Sequence, residues 1–243
     1  MKAGIVGLPN VGKSTLFNCL SDNKAQSENF PFCTIDPNIS IINIPDKRLD
    51  NLKEMIKPDK LIPTTVKIVD IAGLVKGASK GEGLGNKFLS NIRETDAILH
   101  VLRCFDDPNI VHVDGRVDPV NDKEIVQYEL QLKDLEIVNN RLEKLTKTLR
   151  SGNDESKKEI IVLEKIKNNL ENSVINRDDF NKEDYLTFIK PLELITFKPV
   201  LYVCNVSEDN LLDDNEYVKK VKEFAAKENA EVILISAKIE SEI

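Results

Sequence analysis

One octapeptide near the amino terminus limits this chain more than any other feature. Gly7-Leu8-Pro9-Asn10-Val11-Gly12-Lys13-Ser14 fits the P-loop pattern GxxxxGK[ST]. A β-branched run at 3–6 precedes it and a helical pattern at 13–21 follows. A glycine-rich turn between strand and helix lets backbone N–H groups curl around phosphate oxygens, with the positive end of the helix behind them. In such a pattern Lys13 reaches the β and γ phosphates of a nucleotide, and the Ser14 hydroxyl binds Mg2+.

The rest of the chain agrees with an α/β fold. Strand candidates lie at 39–44, 66–70, 97–102, 200–204 and 232–235, and helix candidates at 47–56, 84–95 and 216–228. Several strands are apolar throughout, as strands covered on both faces should be. The alternation predicts a P-loop NTPase fold of the G-domain type, with a mostly parallel sheet and helices on both faces.

The block 118–196 breaks the rhythm. Ile125, Leu132, Asn139 and Thr146 recur every seven residues, and Tyr128, Leu135, Leu142 and Leu149 recur at an offset of three. That spacing predicts an a/d seam of a coiled coil. Ser151-Gly152-Asn153-Asp154 marks a turn, and a second helix follows with Ile160, Leu163, Leu170 and Val174. The expectation is an antiparallel helical hairpin at 118–196, inserted into a nucleotide-binding domain made of 1–117 and 197–243.

Composition narrows the partners. The chain has 243 residues, with 34 Lys+Arg against 41 Asp+Glu and a net charge of −7. That excludes a whole-surface electrostatic grip on nucleic acid or anionic lipid, and no sequence-specific DNA binding is expected. No apolar run approaches the ~20 residues that span a bilayer. The amino terminus runs straight into a strand, so no signal peptide is expected. Cys19, Cys33, Cys104 and Cys204 are far apart and form no CxxC pair, which points to reduced, mostly core thiols in a cytoplasmic protein.

Further motifs fall at strand ends. Asp70-Ile71-Ala72-Gly73 closes the third strand candidate. There an Asp can hold Mg2+ through water and a Gly N–H can meet the γ-phosphate. Gly73, Gly77, Gly81, Gly83 and Gly85 crowd the segment that follows, which predicts a mobile loop able to act as a switch. Thr34, in Asn29-Phe30-Pro31-Phe32-Cys33-Thr34-Ile35-Asp36-Pro37-Asn38, is either a second Mg2+ ligand or an exposed loop residue. Asn205-Val206-Ser207-Glu208 and Ser236-Ala237-Lys238 follow the last two strand candidates, where ligands of such sheets bind. Lys238 is open between a base-side role and a plain surface lysine.

In this order the motifs resemble the Obg-like ATPase family, also called YchF, among the translation-factor-related P-loop NTPases. The carriers are the run from Gly7 to Thr15, the Asn29–Asn38 segment, the run from Asp70 to Asn86, the helical insert, Asn205–Glu208 and Ser236–Lys238. The resemblance implies an ATPase that prefers ATP to GTP, uses Mg2+ and associates with ribosomes. It implies nucleotide contacts from Asn10, Val11, Gly12, Lys13, Ser14 and Thr15, with Asn205, Val206 and Ser236 near the base. Ser14 and Thr34 would hold Mg2+. Family members continue into a TGS domain, whereas this sequence stops at Ile243.

Two positions bear on the mechanism. Ras-type enzymes place a water-orienting Gln after DxxG, and here that residue is Leu74. His112, on the loop after the fourth strand candidate, is the substitute candidate, because a loop His titrates near neutrality and can orient water. His100 lies in an apolar strand and reads as core. Asn10 matches the position where related enzymes bind K+, and turn geometry explains it equally well. The catalytic set is then Lys13, His112 and Gly73. The alternatives are a GTPase of the same fold, or a nucleotide-gated binding module with negligible turnover.

Overall fold

The computed structural model describes residues 1–22, 39–71, 91–113, 115–148, 154–173 and 179–242. The glycine-rich segment after Ile71 and most of the helix expected at 84–95 lie outside them.

Six strands form one sheet: β1 (Lys2–Val6), β2 (Ile39–Asn43), β3 (Thr65–Asp70), β4 (Ala97–Arg103), β5 (Val200–Asn205) and β6 (Glu231–Ile235), in the order β2-β3-β1-β4-β5-β6. Only β2 runs antiparallel, against β3. The other pairings are parallel, with Ile5 beside Asp70 and Leu99, and Arg103 beside Asn205. The parallel strands therefore deliver Asp70, Gly7, Cys104, Val206 and Ser236 to a common carboxyl edge. Ile5, Val6, Ile68, Val69, Ile98, Val101, Leu102 and Val203 are buried, as central strands covered on both faces require.

The helices are α1 (Lys13–Asp22), α2 (Lys47–Ile56), α3 (Pro119–Thr148), α4 (Asp154–Glu171), α5 (Glu216–Lys227) and α6 (Ala237–Glu242). Asn215 caps α5 by accepting from Val218 N, and α5 buries Val218, Val221 and Ala225 over a cluster with Leu102, Cys204 and Tyr202. Asp46 caps α2, none of whose residues is buried.

The chain divides into two compact units: Met1–Gly73 with Thr95–Pro119 and Val200–Ile243, and Leu74–Glu94 with Val120–Pro199. The second holds α3, α4 and a run of short helical turns over 182–197. Gln131 accepts from Ser173 Oγ at 3.3 Å, and Arg141 bonds both Glu159 carboxylate oxygens at 2.6 and 3.0 Å.

The heptad register expected for α3 is corrected here. Tyr128 is 58% exposed and Thr146 is also exposed, while Val126, Leu130, Asp134, Val138 and Leu145 form the buried stripe. The physical reason is the second cover. Phe188, Ile189, Leu194 and Phe197 from the 182–197 turns join Val162, Leu163, Ile166 and Leu170 of α4 in one cluster. A helix covered from two sides buries a broader stripe, spaced nearer four residues, than a two-helix seam. Asp134 sits inside that stripe, accepting from Ile195 N, Thr196 N and Thr196 Oγ1 at 2.7–3.0 Å.

Candidate nucleotide-binding site

The loop between β1 and α1 has the backbone its glycines predict. Gly7 has φ 153°, and a Cβ there would lie 2.5 Å from the Val101 carbonyl oxygen. Gly12 has φ 100°, and its Cβ would lie 2.3 Å from Asn205 Nδ2. Neither position accepts a side chain, because the loop is pressed against β4 and the β5 edge. Leu16 N donates to the Gly12 carbonyl at 3.0 Å and starts α1. Ser14 and Thr15 are exposed on its first turn.

Lys13 folds back into the loop. Its Nζ donates to the Leu8 carbonyl at 2.6 Å and the residue is 6% exposed. Burial lowers its pKa from 10.5 to about 8, against the pull of the Asp70 charge. Burial likewise pushes the Asp70 carboxyl up, and Lys13 draws it back. Asp70 Oδ1 is buried and makes no hydrogen bond. A buried acceptor without a partner, beside a lysine and near exposed hydroxyls, suits a hydrated divalent cation with phosphates. Among the described residues no group of three His, Cys, Asp or Glu makes a metal site by itself.

Asn10 has φ 62°, a left-handed conformation that Asn tolerates, and its Nδ2 donates to the Val111 carbonyl at 3.2 Å. That bond ties the loop after β4 to the phosphate-binding loop. His112 comes next and is 7% exposed, so it is not the open loop residue its sequence context suggests. His100 is buried with its ring 5.6 Å from that of Tyr202, as a core residue. Thr34 and Gly73 lie outside the described residues.

At the β5 and β6 ends, Asn205 is 5% exposed and works as a staple. Its Nδ2 donates to the Val11 carbonyl at 3.0 Å, and its Oδ1 accepts from Ala237 N at 3.0 Å. Val206 N donates to the Ile235 carbonyl at 2.8 Å. Its side chain is 2% exposed within the cluster under α5. Ser236 is also buried. Lys238 Nζ lies 3.1 Å from Glu208 Oε1, and this partner raises the lysine pKa. Cys104 and Cys204 are buried and Cys19 is partly buried, and none of the three is in a disulfide.

Sequence reasoning missed Arg103. The last residue of β4 is 2% exposed, and its guanidinium donates to the carbonyls of Phe105, Ile110 and Asp107 at 3.1, 2.9 and 3.2 Å. A charge ending an apolar strand was the available signal.

A strand–loop–helix P-loop, an Asp at the adjacent strand end and an Asn staple at the end of β5 define the G-domain class of P-loop nucleotide-binding proteins. The family described as 50S ribosome-binding GTPase matches residues 2–165. Ribosome-binding ATPase YchF of Bacillus subtilis is 52% identical across the whole chain, which covers 67% of that protein. The protein of that name from Haemophilus influenzae is 51% identical, and 66% of it is covered. The structure of the Schizosaccharomyces pombe YchF GTPase superposes with a TM-score of 0.84 at 40% identity, covering the whole chain and 67% of that one. The chain belongs to the YchF family and spans about two thirds of the length of these relatives. Among the described residues no helix is long and apolar enough to cross a membrane.

Proposed function

We propose that the chain is a Mg2+-dependent nucleoside triphosphate hydrolase that prefers ATP to GTP and serves as a ribosome-associated switch in the cytoplasm. The observation that carries the reading is Lys13, held in the loop against the Leu8 carbonyl with the partnerless Asp70 oxygen beside it. The names of the relatives agree on ribosome binding or nucleotide hydrolysis.

Phosphoryl transfer is mostly positioning and charge neutralisation. The amides from Asn10 to Thr15 and the positive end of α1 receive phosphate oxygens, and Lys13 leaves the Leu8 carbonyl for the β and γ phosphates. Bound Mg2+ would neutralise charge developing between those phosphates. Ser14, Thr34 and, through water, Asp70 are the residues assigned to hold it. Gly73 is assigned to sense the γ-phosphate through its N–H. His112 is assigned to orient the attacking water, since Leu74 cannot. Asn10 is assigned K+ as a further charge. The helices α3 and α4 are read as the arm that docks the partner.

For the base, a guanine site uses an Asp to accept from N1–H and the exocyclic amine. Glu208 is one methylene longer, and Lys238 competes for its carboxylate. The misplaced pair forfeits on the order of 1–3 kcal/mol of guanine preference. Calorimetry with Mg2+ is expected to give ATP at least about tenfold tighter than GTP. Tighter GTP binding would overturn the preference. Phosphate release is expected to vanish in folded Lys13→Ala, and near-normal release there would sink the hydrolase reading. Equal rates in K+ and Na+ would remove the K+ role of Asn10.

A further inference from the structure

We propose that Arg103 is a positioning residue for turnover, acting through the 104–113 loop on Asn10 and on the water-orienting end of the site. The proposal rests on the hydrolase reading above.

Arg103 is among the largest fully buried side chains of the molecule. Among the described residues its hydrogen-bond acceptors are three backbone carbonyls, Phe105, Ile110 and Asp107. Its guanidinium carbon also stands 4.8 Å from the centroid of the Phe105 ring. Burying a cation this way is costly, and closing a surface loop does not require it. What the guanidinium supplies is a rigid fork that sends donors in several directions at once, which a lysine ammonium on a flexible stem does not reproduce.

The bonds bend residues 104–110 around the end of β4. From outside, Asn215 Nδ2 donates to the Cys104 carbonyl at 2.7 Å, and Tyr217 Oη donates to the Asp106 carboxylate at 3.0–3.1 Å. Within the turn, Asn109 N donates to Asp107 Oδ1 at 2.8 Å. The carbonyl next to the one Arg103 holds, that of Val111, accepts from Asn10 in the phosphate-binding loop. His112 follows directly. One buried fork therefore sets the backbone that braces the left-handed residue of the phosphate loop and carries the candidate water-orienting residue.

The test is steady-state phosphate release, ATP calorimetry and hydrogen exchange on Arg103→Lys in the full chain. The expected result is a kcat at least about tenfold lower, ATP affinity within about threefold, and faster exchange confined to 105–113. The Asn10→Ala and Arg103→Lys changes should be non-additive in kcat, because both act through the Val111 link. Ile98→Val, a core trim at the far end of the same strand, should leave kcat unchanged. Wild-type kcat in folded Arg103→Lys, or kcat and affinity falling together with the folded fraction, would overturn the proposal while leaving the hydrolase reading intact. No phosphate release from the unmodified chain would overturn both. If Arg103→Lys does not fold, Tyr217→Phe carries the test, since it releases only Asp106 from the same loop. A lower kcat at unchanged ATP affinity supports the proposal, and an unchanged kcat overturns it.

Discussion

At the scale of single residues, Lys13 connects the site to pH. Its folded pKa of about 8 lies below the ordinary 10.5, so as pH rises the native state sheds this proton before the unfolded chain does. Between those values the unfolded state binds more protons and stability rises with pH, whereas below about 8 the full burden of the buried charge is present. Nucleotide-free Lys13→Met should therefore be more stable than wild type at pH 7, by up to about 3 kcal/mol, and lose that advantage toward pH 10.5. Urea unfolding at the two pH values measures this, and equal advantages at both would contradict the buried-charge account. Phosphates should also restore the ordinary pKa. ATP binding at pH 8 should then take up about half a proton, read from calorimetry in two buffers of different ionisation enthalpy.

Gly7, Gly12 and Lys13 were legible because the motif dictates their backbone. Val206 was not, since a residue at a strand end can face the core or a ligand without any change of spacing. Arg103 was missed because a charge ending an apolar strand does not tell what it bonds, and its acceptors are backbone carbonyls. The Glu208–Lys238 pair joins two fragments that were each read separately, and only the parallel pairing of β5 with β6 brings them together.

At the scale of elements, the positions of the strands and their mostly parallel pairing followed from alternation, while the face of α3 did not. Its seven-residue spacing was real in the sequence, but burial follows whatever covers the helix, and the 182–197 turns carry no periodicity that announces a second cover. Asp134 marks that junction. It is fully buried, and burial pushes its carboxyl up while the bonds from Ile195 and Thr196 draw it down. Asp134→Asn sets an amide against these donors and should cost about 2–3 kcal/mol, measured by urea unfolding. Thr196→Val removes one of the three bonds and should cost about 1 kcal/mol. Equal losses would mean that the two backbone donors contribute nothing.

At the scale of the molecule, every residue assigned to nucleotide binding belongs to the unit built on the sheet, so the other unit looks removable. Residues 91–94, just before β4, belong to that second unit and would stay behind if only 120–199 were removed. Arg93 Nη2 donates to the Leu192 carbonyl at 3.1 Å, and Lys198 Nζ donates to the Arg93 carbonyl at 2.9 Å. Ile92 is fully buried, and Thr95 is 2% exposed where the chain enters β4. Replacing 120–199 with a short linker would delete both partners of Arg93 and leave the entry to a central strand unanchored, although the deletion touches no assigned ligand. The expected outcome is a folded protein with ATP affinity at least about tenfold weaker and faster hydrogen exchange at 91–98. Trimming only 139–160 to a turn should keep wild-type affinity, because the 192–198 segment and Asp134 stay in place. Unchanged ATP binding in the larger deletion would show that residues 91–95 hold their place without 120–199, and that this block is an independent insert.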